Sequence, residues 1–159
     1  MARWTGDWLQ GPAATLAEMR PPGTWPGSRL GLTQSGPGSL ARFSTRAAAF
    51  LMDVLASALV AGLLNTFVTH PSSVQRQVAA YAVLAVEHVL LVSLTGQTVG
   101  MRLLGLKVLR LSDPARVPGL LASLVRTALL LASVGLAALF TRGGRGLHDV
   151  VAGTAVVRG

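Results

Sequence analysis

Residues 47–68 read AAAFLMDVLASALVAGLLNTFV, a run of small and apolar side chains in which Asp53 is the one ionisable group. As a helix rising ~1.5 Å per residue, this stretch reaches across the ~30 Å hydrocarbon core of a bilayer. Two further runs, 78–95 and 119–140, have comparable length. A buried helix of a soluble domain is usually shorter, and a chain of 159 residues has nothing left to cover three such helices. The reading is therefore an all-α integral membrane protein, a small bundle of three hydrophobic helices. The third run either crosses fully or turns back at its soft point, Ser133, Val134 and Gly135.

Composition agrees. About half of the chain is apolar (51%) and 13% is charged, where a soluble domain carries roughly a quarter. The net charge of +8 comes from 13 Arg and one Lys scattered between apolar blocks. No basic recognition helix or aromatic-rich sheet accompanies them, which argues against nucleic-acid binding. With no cysteine, disulfides, thiolate metal sites and Cys nucleophiles are excluded.

Ahead of the apolar runs, residues 1–41 carry five of the eight prolines and no sustained period. Such a segment buries too little apolar area to offset its ordering entropy, so a disordered tail is expected there. Its Trp4, Trp8 and Trp25 suit a membrane interface or a partner. Residues 42–159 form the membrane domain. Basic residues set its orientation: Arg42 and Arg46 flank the first run, Arg102, Lys107, Arg110 and Arg116 fill the second connection, and Arg76 alone lies in the first. The N-terminus and the 96–118 loop are accordingly expected in the cytoplasm of a multi-pass plasma-membrane protein. The C-terminal 141–159, with Arg142, Arg145 and Arg158, is expected there too. On that side 105–111 and 155–157, which read as short strands, can pair.

Ionisable groups inside the runs are the informative ones, because each is costly to bury alone. Asp53, Glu87 and Arg126 fall at similar depth from the cytoplasmic boundary, so Arg126 is expected to pair with Asp53 or Glu87. Asp53, Ser57, Ala61 and Asn65 recur at i, i+4 and mark the inward face of the first helix. Gly119, Ser123, Arg126, Ser133 and Ala137 do the same for the third. Arg46 lies two turns from Asp53, too far to touch it, and Asp149 beside His148 is its expected partner. His70, His88 and His148 have no ligand spacing, so no metal or other cofactor is expected. His148 and Asp149 lack a nucleophile elbow, and catalysis is not expected. Gly96, Gly100 and Gly105 lack the Gly-Lys-Ser/Thr ending of a phosphate loop and instead suit tight turns and close packing.

Three blocks, RAAAFLMD (46–53), GQTVGMRLLGLKV (96–108) and RGLHDVVAGT (145–154), resemble in order and spacing the signature blocks of the RDD family of bacterial membrane proteins. The resemblance implies that the naming Arg and two Asp are Arg46, Asp53 and Asp149. It brings no common activity, although cation–proton exchange has been proposed for some members. An arginine-heavy, lysine-poor usage suits a GC-rich actinobacterial genome. Two functional classes follow: an accessory or assembly protein working with other membrane proteins or copies of itself in the lipid bilayer, and an oligomeric transporter of small solutes or cations using the intramembrane carboxylates.

Overall fold

The structure is a computed structural model and describes residues 25–132, 141–142 and 144–159. Two long helices dominate it. Helix α1 (Phe43–Asn65) and helix α2 (Ser73–Thr95) have 23 residues each, about 34 Å at 1.5 Å per residue. They begin a few residues before the apolar runs, because the helices continue through Phe43–Arg46 and Ser73–Gln77 into more polar ground. At the start of α2 a capping box explains the boundary. The Ser72 hydroxyl accepts from the Gln75 amide (3.2 Å), and the Gln75 side chain accepts from the Ser72 amide (2.8 Å). At its end Gly96 takes a left-handed conformation (φ 72°), and its amide closes on the Val92 carbonyl.

Beyond Gly96 come a short helix α3 (Val99–Leu103), strand β1 (Leu106–Arg110) and helix α4 (Gly119–Ala132). The C-terminal part holds the two-residue strands β2 (Thr141–Arg142) and β3 (Arg145–Gly146), helix α5 (Leu147–Val151) and strand β4 (Thr154–Arg158). Helix α2 packs on both α1 and α4, and α3 packs on α1. The anticipated strands are present: β1 and β4 pair antiparallel, with Lys107 opposite Val157 and Val108 opposite Val156. The expected third span is described over 14 residues as α4. Residues 133–140, with Ser133, Val134, Gly135 and Ala137, lie outside the described residues, as do residues 1–24 with Trp4 and Trp8.

The tail reading differs from the structure over 25–41. Trp25 Nε1 donates to the Leu32 carbonyl (2.9 Å). The amides of Gly38 and Ala41 donate to the carbonyls of Arg158 (2.8 Å) and Val156 (2.9 Å), and the Arg158 amide returns a bond to Ser39. The reason is the free side of β4: a sheet edge presents unpaired backbone groups, which this extended segment satisfies.

Burial follows the predicted faces. Ala49, Asp53, Ser57 and Ala61 form the covered stripe of α1, and Ser123, Arg126, Thr127 and Leu130 that of α4. Only 22% and 17% of the most apolar stretches of α1 and α2 are covered by the rest of the chain. Leu59, Leu63, Phe67, Val78, Leu94 and Leu121 point outward. A core helix of a soluble domain would be covered. Outward-facing apolar surface of this extent is what a membrane protein presents to lipid. A compact apolar cluster (Ala49, Val92, Met101, Leu106, Val108, Val156) joins the helices to the ribbon.

The register makes a direct prediction. The chain has no cysteine, so Lys107→Cys/Val157→Cys should form one intramolecular disulfide under mild oxidation, since paired antiparallel residues lie within disulfide range. A gel shift after oxidation, absent in either single variant, is the readout; no shift would contradict the β1–β4 pairing.

Candidate functional site

The ionisable side chains gather where the helices meet the cap formed by α3, the β1–β4 ribbon and α5. Asp53 is fully buried on α1 and faces the N-terminus of α3. Thr98 is the cap residue of that helix, its hydroxyl accepting from the Met101 amide (3.2 Å) and donating to Asp53 Oδ2 (2.6 Å). The Gly100 amide donates to Asp53 Oδ1 (2.6 Å). A carboxylate is thus held by free helix-terminal donors, the arrangement in which a buried negative charge is best compensated. Gly100 is demanded by this approach. A Cβ there would run into the Ala49 carbonyl and lie 3.0 Å from Asp53 Oδ1. The sequence reading had Gly100 as a packing glycine; Thr98 as the partner of Asp53 it missed, although a Thr opening a short helix two residues before a glycine is a readable cap signal.

The second carboxylate, Asp149, is also fully buried. Its Oδ1 lies 2.9 Å from Arg126 Nη1 and its Oδ2 3.5 Å from Arg46 Nη1. The Thr154 hydroxyl donates to Oδ1 at 3.3 Å. Arg46 Nη2 further donates to the Gly144 carbonyl (2.7 Å). Arg46 therefore meets Asp149 as expected, whereas the expectation for Arg126 is corrected: it pairs with Asp149 in the C-terminal segment, not with Asp53 or Glu87. The physical reason is that both intramembrane carboxylates already have partners. Asp53 has α3, and Glu87 Oε2 accepts from Ser57 (2.7 Å). The three groups also do not share one cavity. Arg126 and Asp53 line a cavity of about 150 Å³ with Arg46, His88 and His148, while Glu87 lines another.

The two histidines fill the remaining gaps. His88 Nδ1 lies 3.1 Å from the Leu84 carbonyl, its Nε2 is 3.8 Å from Asp53 Oδ2, and Phe50 packs edge-on to its ring. His148 Nε2 is 3.5 Å from Asp149 Oδ2. Burial pushes the His148 imidazole down to about 4; the Asp149 carboxylate opposes this, and the nearby guanidinium groups of Arg126 and Arg46 add to it. No cluster of three or more His, Cys, Asp or Glu suited to a metal ion occurs among the described residues. His70 sits in the α1–α2 turn (φ 53°), far along the chain from these groups.

The model of the RDD family matches residues 40–153, and the chain belongs to that family. Searches of curated proteins and of solved structures find no match.

Two predictions test this arrangement. Gly100→Ala should lower the unfolding temperature of the detergent-solubilised protein and its accumulation in membranes. Gly62→Ala, where an added Cβ meets nothing within 4 Å, should be neutral or gain up to about 1 kcal/mol; equal behaviour of the two would remove the close-approach argument. For His148 the unfolded chain binds a proton near pH 6.5 and the folded one near 4. Stability is thus complete above pH 6.5 and declines as pH falls through that window, by up to about 1.4 kcal/mol per pH unit. His148→Gln should flatten that part of a pH–stability curve, and an unchanged slope would refute it.

Proposed function

We propose that this RDD-family chain is a plasma-membrane assembly module whose signature charges lock a cytoplasmic cap onto two membrane-crossing helices. The observation that carries the reading is that Asp53 and Asp149 are both engaged in cross-element contacts: Asp53 with Thr98 and Gly100, Asp149 with Arg46, Arg126 and Thr154. Groups so held are suited to maintaining a fold rather than to exchanging protons or cations with a passing solute.

The same contacts support a two-crossing topology. The start of α1, the end of α2 and the start of α4 lie at one end with the cap: Gly144 meets Arg46, β4 meets β1, and Gly96 neighbours Val117 and Pro118. Gly119 and Gly144 therefore lie at the same end of the molecule. The described α4, about 21 Å long, is also shorter than the ~30 Å core. Arg42, Arg102, Lys107, Arg110, Arg116, Arg145 and Arg158 belong to this end and Arg76 to the other, which favours a cytoplasmic cap. The outward apolar faces of α1 and α2 then contact lipid, other membrane proteins or further copies of the chain.

A second reading, an oligomeric cation or proton transporter, draws on His88 near Asp53 and on the Ser57–Glu87 hydrogen bond, which place titratable groups within the membrane-crossing helices. Reporters after Phe67, Ser112 and Gly159 and flux in proteoliposomes separate the two. The module reading expects Phe67 outside, Ser112 and Gly159 inside, and no cation-driven pH change above empty liposomes. A flux abolished by Asp53→Asn in a protein that still accumulates and folds would establish the transporter instead; Gly159 outside would overturn the two-crossing topology.

A further inference from the structure

The cavity between α1, α4 and α5 has a charged wall. Two guanidinium groups, Arg46 and Arg126, share the single carboxylate of Asp149. Asp53 borders the same space, but its two oxygens accept from Thr98 and Gly100, and His88 faces it at 3.8 Å. Glu87 is turned to Ser57 and lines a different cavity. Two guanidinium groups and two carboxylates thus bound this space, and what sets it apart is its hydrogen-bond inventory among the described residues. Arg126 is 4% exposed, and its Nε, like that of Arg46, is buried with no acceptor among the described residues. His148 Nδ1 is likewise buried and unpartnered. A buried donor or acceptor left unpaired costs about 1–3 kcal/mol, so three such atoms on residues that line one cavity mark a place suited to another group.

The space is large enough. A water needs about 10–15 Å³ of such volume, and the cavity has about 150 Å³. Its remaining wall is apolar, with Phe50 and Met101 inside and Phe43 at the edge. Phe43 is 45% exposed on the outer surface of α1, so the apolar side of the cavity leads toward lipid. Arg46, whose side chain is 12% exposed against 4% for Arg126, stands at the more accessible end.

We propose that this cavity binds a phosphate monoester carrying an apolar substituent, with the phosphate between the Arg46 and Arg126 guanidinium groups. Arginine is the preferred partner of phosphate oxygens, through charge-assisted N–H···O bonds. A tetrahedral phosphate presents oxygens toward both Nε–H groups and a third direction toward His148. With the Nε2–H of His148 facing Asp149, its Nδ1 is an acceptor, which the P–OH of a singly protonated monoester satisfies. A planar carboxylate or a phosphodiester supplies no such donor. The phosphate belongs either to the headgroup of a lipid such as phosphatidic acid or to a soluble ester. The inference goes beyond the assembly role and does not depend on it.

The test uses the full chain in phosphatidylcholine nanodiscs and reads its unfolding temperature during titration with phosphatidic acid, phosphatidylglycerol or inorganic phosphate. Phosphatidic acid should raise the unfolding temperature saturably, and more than phosphatidylglycerol. Arg126→Lys retains the ion pair to Asp149 but loses Nε, and should weaken binding about tenfold. Ala47→Leu leaves every charge in place and narrows the cavity; it should weaken binding similarly and keeps the test decisive if Arg126→Lys folds poorly. Lys107→Gln on the exposed cap should bind like the wild type. An equal shift with inorganic phosphate alone supports the site and assigns it a soluble ligand. Three outcomes overturn the proposal: no shift with either phosphate source, unchanged binding by both cavity variants, or a shift that phosphatidylglycerol matches and Lys107→Gln abolishes, which would make it a surface-charge effect.

Discussion

One carboxylate holds the ends of this molecule together. Asp149 receives Arg46 from the first turn of α1 and Arg126 from the middle of α4, and it lies in the short helix that leads into β4. Three segments separated by up to 103 positions in the chain thus converge on two oxygen atoms. Out of water the desolvation of such ions costs several kcal/mol each, and only mutual pairing with good geometry offsets it. The consequence is asymmetric: withdrawing Asp149 removes the shared partner of both guanidinium groups, so the docking of the C-terminal segment rests on that one carboxylate.

Asp53 performs the same task by different chemistry. It has no guanidinium partner and is stabilised by donors at the start of α3, a helix of five residues that contributes little by itself. A helix this short does not persist alone. The carboxylate organises it, and with it the route from α2 into β1, where Val108 bonds to Gly96 and the Gln97 side chain to the Leu106 carbonyl. The two Asp residues therefore divide the cap: Asp53 secures the α2–β1 connection, and Asp149 the C-terminal segment.

Much of this was legible in the residues. The runs around Phe50 and Leu90 gave helices because length and uninterrupted apolar character leave few alternatives in a chain this poor in charge. The i, i+4 stripe of Asp53, Ser57 and Ala61 revealed its inward face because helical periodicity is local. The Arg46–Asp149 pair was legible because Arg46, two helical turns from Asp53, needs another anion, and the basic C-terminal segment is expected on the same side of the membrane. The partner of Arg126 was not. Depth along a helix fixes one coordinate of a side chain, and the rotation of α4 against α5 depends on packing that no local pattern records. The docking of 36–41 on β4 was hidden for a similar reason. Its prolines and glycines speak for weak intrinsic structure, while the bonds that order it are backbone groups supplied by a strand over a hundred residues away.

The placement of these charges bears on how such a small chain stays folded in a bilayer. Apolar burial between helices is a weak driving force in lipid, since lipid tails are as apolar as Leu, and α1 and α2 leave most of their apolar surface outward. The specific contacts among the helices must then come from polar groups, and those of the membrane region gather toward the capped end: Asp53, His88 and Arg126 around one cavity, with Ser57, a turn further along α1, bonded to Glu87 of α2. The far end has the Ser72 capping box and the turn through His70 and Pro71, but no comparable cross-helix lock among the described residues. Stability is therefore graded along the helices, firm at the cap and looser at the turn. A partner or a second copy that engages the apolar faces of α1 and α2 would add most where the chain supplies least of its own.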